Sequence, residues 1–169
     1  MGLARPKPKS RKAMNDQQLF AFENDFVATL RCIPMAVRFK LDRCGIKLTL
    51  RQWSRLTQSD RTDLLIKKCH TAEDVDLYRQ YLVDLVSNRS GEKTMDLPPQ
   101  LDPIWKNISQ TPNSIISFAK SINVDPLSDE EWDILTELQR FVLFKLSRDG
   151  HDNLNFGPAL KEFGLGERV

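Results

Sequence analysis

The chain has 169 residues, enough for one domain with a substantial core, and its apolar fraction of 40% argues against wholesale disorder. Its formal net charge of +2 is too small to indicate nucleic-acid binding by the body of the protein. Because no apolar run is long enough to cross a bilayer or to act as a secretory signal, we expect a cytoplasmic protein without a membrane partner.

Residues 1–15 predict a flexible, disordered tail. The segment contains no acidic residue and five basic ones: Arg5, Lys7, Lys9, Arg11 and Lys12. With two prolines and little to bury, such a segment stays solvated. It serves solubility or acts as an electrostatic arm for an acidic partner. We expect a single all-α domain over residues 16–169.

The domain should begin with two helices. Phe22, Phe26 and Leu30 fall four residues apart, which is the spacing of an apolar helix stripe. Pro34 is expected in the first turn of the second helix, and Gly45 is placed to end it. The inner row of that helix would be Ile33, Val37 and Leu41, so Lys40 and its charged neighbours should lie on the other faces.

Helix-start signals recur along the rest of the chain. Five hydroxyl residues are each followed three positions later by a polar side chain that can bond back to the backbone, as in a capping box. The pairs are Thr49 with Gln52, Thr57 with Asp60, Thr71 with Asp74, Ser128 with Glu131, and Thr136 with Gln139. These signals predict an all-α fold, a compact bundle of short helices.

An internal repeat emerges when Trp53 is aligned with Trp132, because cap residues and apolar positions then coincide. We interpret the chain as two pseudo-repeated helix-pair units, residues 46–88 and 113–165, joined by a proline-rich linker over 89–112. Chance similarity between helical segments is the alternative. Each aligned tryptophan should be buried within its own helix pair. Trp105 should pin the linker to the core.

The cysteines and histidines give little support for chemistry. Three cysteines, an odd number, fit a reducing compartment, and there is no C-x-x-C pair. No nucleophile motif or glycine-rich phosphate loop is present, so we expect neither an enzyme nor a bound cofactor. A small metal or iron–sulfur carrier using Cys44, Cys69 and His70 remains the alternative function.

A basic cluster follows the predicted N-terminal helix. We predict that it binds a partner protein through six arginines: Arg31, Arg38, Arg43, Arg51, Arg55 and Arg61. Arg51 and Arg55 lie four residues apart, so they share a helix face. The alternative is that this charge helps the two halves of the domain to dock, since the chain from His70 onward is acid-rich.

Two long blocks, Leu30–Arg61 and Leu138–Leu165, closely resemble the nitrate reductase associated protein family of bacteria and cyanobacteria. The resemblance implies a non-catalytic accessory or maturation factor of assimilatory nitrate reduction. The partner that it implies is nitrate reductase, or the machinery that delivers the cofactor of that enzyme. It supplies no catalytic residues. The chain also lacks a cysteine set for an iron–sulfur cluster, so it is not the reductase itself.

Overall fold

The computed structural model describes residues 19–24, 31–98, 101–148 and 154–166. That part of the chain contains eight α-helices and a two-stranded sheet, which confirms the all-α class. The helices are α1 Met35–Cys44, α2 Leu50–Arg55, α3 Gln58–Ile66, α4 Ala72–Ser90, α5 Asn113–Ser121, α6 Asp129–Ile134, α7 Glu137–Leu146 and α8 Phe156–Glu162. The strands are β1 Ile46–Lys47 and β2 Met95–Asp96. The basic segment 1–15 lies outside the described residues.

All five predicted capping boxes are formed, and they begin α2, α3, α4, α6 and α7. In each, the hydroxyl oxygen accepts the backbone N–H three residues later at 3.1–3.2 Å. The side chain at that later position bonds back to the cap N–H, so two donors that the helix leaves unpaired are satisfied. The helix starts are therefore set by local chemistry.

Helix α1 begins one residue later than expected. Pro34 is extended (ψ 152°) and acts as the N-cap, its carbonyl accepting the N–H of Arg38 at 2.9 Å. Gly45 ends the helix as predicted, in the left-handed conformation (φ +69°) that glycine adopts at little cost. The row formed by Ile33, Val37 and Leu41 is buried.

The prediction that Lys40 lies on an outer face of α1 is wrong, because its side chain is fully buried. Its Nζ donates to the carbonyl oxygens of Leu65 and Lys67 at 2.5 and 2.6 Å. Periodicity did not reveal this burial, because α1 contacts α3, α4 and α7 and so has more than one inner face. Helix α1 is thus the central element of the described structure.

The two helix pairs α2–α3 and α6–α7 share a local construction. Each opens with a six-residue capped helix that carries a fully buried tryptophan, Trp53 or Trp132. Each of these short helices ends at a leucine, Leu56 or Leu135, in extended backbone, and a second capped helix follows at once. Burial of both tryptophans is confirmed; the equivalence of the complete units 46–88 and 113–165 stays a prediction.

Trp105 pins the linker to the core, as predicted. It lies in a 3₁₀ turn over Ile104–Lys106, and its ring packs against those of Phe141 and Phe144 at centroid distances of 5.1 and 5.2 Å. Its carbonyl oxygen accepts the Nε–H of the buried Arg140 at 2.7 Å. Ring packing and one charge-assisted hydrogen bond therefore hold this loop on α7.

The N-terminal segment 19–24 contains a 3₁₀ turn, Ala21–Glu23, and the predicted helix positions Phe26 and Leu30 lie outside the described residues. The buried Glu23 carboxylate accepts the N–H of Phe20 at 3.2 Å and that of Met35 at 2.7 Å. Burial raises the pKa of Glu23, and these backbone hydrogen bonds reduce the shift without reversing it. One carboxylate thus joins the segment to the N-terminus of α1.

Asp60 joins the start of α3 to the end of α4. Its carboxylate accepts the N–H of Thr57 within the capping box, and Arg89 donates to both carboxylate oxygens at 2.8 and 3.2 Å. Burial favours the protonated form, but the hydrogen bonds from Arg89 and Thr57 outweigh it, so the pKa of Asp60 is lowered. Folding therefore stabilises the ionised carboxylate.

We expect Asp60→Asn to lower the free energy of unfolding at pH 7 by about 1–3 kcal/mol, since a hydrogen-bonded charge is lost. The unfolded chain binds the Asp60 proton more tightly than the folded chain, so the stabilisation is present above about pH 4 and is lost as pH falls through the folded pKa. Urea unfolding of both proteins at pH 7 and pH 3 measures this difference. A gap of equal size at both pH values would contradict the argument.

Candidate partner-binding surface

Three of the six predicted arginines are exposed: Arg31, Arg51 and Arg55. Arg51 and Arg55 lie one helical turn apart on α2, the short helix fixed by its capping box and by Trp53. The Arg51 side chain is 75% exposed, and its Nε lies 3.3 Å from Glu92 Oε1. An exposed pair of this kind contributes little to stability, so the charges on α2 can be used by another molecule.

The other three arginines are partly buried and bond inward. The Nε–H of Arg38 donates to the Ile33 carbonyl oxygen at 3.1 Å, and that of Arg61 donates to the Trp53 carbonyl oxygen at 3.2 Å. Arg43 donates to the Cys69 carbonyl oxygen at 2.6 Å and pairs with Glu137 at 3.1 Å. These side chains have structural partners, and the structure does not gather all six arginines into one exposed group.

Four cations, including Arg43, surround a groove of about 660 Å³ between the C-terminal ends of α1 and α7, which the sequence analysis did not predict. They are Arg43, Arg79, Lys145 and Arg148, with Asp42 and Asp96 among them. Arg79 donates to the Cys44 carbonyl oxygen at 2.7 Å, and Lys145 lies 3.0 Å from Asp42. Arg79 thus stabilises a carbonyl at the C-terminus of α1, and Lys145 forms an ion pair, so both of these cations have structural partners.

The residues of the alternative function, a metal carrier using Cys44, Cys69 and His70, are poorly suited to binding an ion. Cys44 and Cys69 are buried, whereas the neighbouring His70 is exposed. Burial, with a smaller contribution from Cys69, raises the pKa of Cys44 to about 12, so the thiol is protonated at neutral pH. Metals bind the thiolate, and within the described ranges no group of three His, Cys, Asp or Glu residues could hold a metal ion.

The fold and the surface together define a small helical protein with an exposed basic helix, α2. A capping box and the buried Trp53 hold this helix in place. In the part of the chain that the structure describes, no helix has the length and apolar character needed to span a membrane. The arrangement can bind an acidic surface electrostatically.

Comparison with protein families identifies the group to which the protein belongs. Residues 19–163 match the conserved nitrate reductase-associated proteins, and the chain is a member of that family. The family is named for an association with nitrate reductase, not as the reductase itself. The resemblance seen in the sequence is thus confirmed. Searches of curated proteins and of solved structures find no match.

Proposed function

We propose that the protein is a non-catalytic accessory or maturation factor that supports assimilatory nitrate reductase in the cytoplasm. It would act by binding the reductase, or the machinery that delivers the cofactor of that enzyme. The observation that carries the proposal is family membership over residues 19–163. Two structural features support the proposal. Arg43 and Arg61 donate to backbone carbonyls, and the thiols of Cys44 and Cys69 are buried. Exposed charge is therefore the main means by which the described residues can bind another molecule.

Docking would use the exposed members of the basic cluster, Arg31, Arg51 and Arg55. Arginine forms planar, bidentate pairs with carboxylates and is weakly hydrated, so it suits an interface with an acidic protein surface. The capping boxes and Trp53 hold α2 rigidly, which reduces the conformational entropy lost on binding. Arg38, Arg43 and Arg61 would mainly preserve the shape of the surface.

We expect the charge reversal Arg51→Glu with Arg55→Glu to weaken binding to purified nitrate reductase about 10-fold or more at low salt. The reason is that complementary charges become like charges, an effect that salt screens. Titration calorimetry at about 20 mM and 300 mM salt measures it. A matched control is the reversal Lys68→Glu with Lys120→Glu, which changes the net charge equally at exposed positions elsewhere in the chain.

Two outcomes would overturn this function. One is a wild-type chain that binds neither the reductase, in its apo or cofactor-loaded form, nor the machinery that delivers its cofactor. The other is normal reductase activity in nitrate-grown cells from which the protein has been deleted. Equal weakening by the control reversal would instead overturn the assignment of docking to α2, because it would mean that net charge governs the interaction.

A further inference from the structure

The exposed side of α2 continues onto the segment that follows α4. Lys47 of β1 pairs with Met95 of β2 in the antiparallel sheet, so the two side chains share one face. Gln52 Nε2 donates to the Lys93 carbonyl oxygen at 3.3 Å. These contacts hold residues 92–95 beside α2, although 41 positions separate Gln52 from Lys93 in the chain.

Two large apolar side chains are exposed in this region. Leu50, the first residue of α2, is 61% exposed, and Met95 is 50% exposed. Neither side chain fills the core, because each is at least half exposed and strand β2 buries neither of its residues. Met95 lies opposite Lys47 in the sheet, and Leu50 follows Lys47 by three residues, so both belong to one region of the surface, and exposed apolar groups of this kind mark interaction sites.

Four cations lie in the same segments as these two side chains. Lys47, Arg51, Arg55 and Lys93 are all exposed, whereas the neighbouring carboxylates, Glu92 and Asp96, are already paired with Arg51 and Arg79. We call this set the α2–β2 surface: Lys47, Leu50, Arg51, Arg55, Lys93 and Met95. An apolar centre with a charged rim is the usual anatomy of a protein–protein contact. The excess of positive charge requires a partner that is acidic around its own apolar contact.

We infer that the α2–β2 surface is the docking site for nitrate reductase, an inference that rests on the proposed function. Leu50 and Met95 are the apolar anchors, and the cations orient an acidic face of the partner. The site therefore includes residues 93–95, which lie in the segment that the sequence interpretation treated as a linker. Of the six arginines predicted to bind a partner, only Arg51 and Arg55, which lie on α2, belong to this site.

Anchors and cations should affect different rate constants. Apolar anchors are fully desolvated in a complex, so losing one accelerates dissociation. Rim charges act mainly at a distance, so reversing them slows association and does so most at low salt. Measuring both rate constants therefore distinguishes a specific docking surface from a surface that attracts a partner only through its charge.

The test is surface plasmon resonance with purified nitrate reductase and the full chain. We expect Leu50→Ser and Met95→Ser each to raise the dissociation rate about 10-fold while the association rate changes less than about twofold. Leu77→Ser is the matched control. Leu77 is 64% exposed and lies two residues from Arg79, whose side chain contacts Asp96 of β2, so Leu77 is on the opposite side of α4 and binding should be unchanged. Circular dichroism checks that each variant is folded.

The possible outcomes test the docking site and the proposed function separately. If the wild type binds but Leu50→Ser and Met95→Ser bind equally well, the α2–β2 surface is overturned and the proposed function stands. If Leu77→Ser weakens binding as much as they do, the site is misplaced and the inference is again overturned. If the folded wild-type chain does not bind the reductase, the inference is overturned, and the proposed function is then restricted to binding the machinery that delivers the cofactor.

Discussion

Replacing Trp132 by Ala is expected to lower the free energy of unfolding by about 3–5 kcal/mol, the largest effect of any substitution in α6. The indole is fully buried, and its Nε1–H donates to the Asn107 carbonyl oxygen at 2.7 Å. Truncation therefore opens a cavity in the core and releases the loop that contains Asn107. Urea unfolding followed by far-ultraviolet circular dichroism gives the value without relying on tryptophan fluorescence.

Trp132→Phe separates the two contributions. Phenylalanine keeps an aromatic ring but cannot donate to Asn107, which is exposed and can bond to water instead. We therefore expect a smaller loss, about 1–2 kcal/mol. Trp53→Ala should cost as much as Trp132→Ala, because Trp53 is also fully buried. A loss below about 1 kcal/mol for both alanine variants would contradict the central place of these tryptophans in the core.

The starts of the helices could be predicted because each one depends on residues close together in the chain. A hydroxyl and a polar side chain three positions apart suffice to begin a helix, and all five such pairs do so. Gly45 ends α1 for an equally local reason. Pro34 was misplaced by one residue, since proline suits both the cap and the first turn of a helix.

The roles of the charged residues could not be predicted, since their partners lie far away in the sequence. Arg43 pairs with Glu137, 94 residues further along, and Lys40 bonds to carbonyls 25 and 27 residues away. From the amino-acid sequence alone, Arg43 and Lys40 cannot be distinguished from an exposed cation such as Arg55. For the same reason, the sequence does not predict that α2 lies near Met95. The pairing of β1 with β2, which brings them together, depends on the path of α4 between the two strands.

The second large effect concerns Lys40. We expect Lys40→Met to lower the free energy of unfolding by about 2–3 kcal/mol. Methionine fills similar space and avoids burying an ammonium group, which favours the variant. It also removes the charged donor that Leu65 and Lys67 share at the end of α3, where helix carbonyls have no partner in the helix. The loss should dominate, since Leu65 is buried away from water. Urea unfolding measures the sum of these effects.

Hydrogen exchange shows where the Lys40 variant is weakened. If Lys40 acts by holding the end of α3, the amide of Lys67, which bonds to the Asp63 carbonyl oxygen at 2.9 Å, should lose more protection than amides in α7. Lys120→Met is the matched control, because Lys120 is an exposed helical lysine and its loss should cost less than about 0.5 kcal/mol. A uniform loss of protection would show that Lys40 supports the whole core. A stability equal to that of the wild type would mean that burying the ammonium cancels both of its hydrogen bonds.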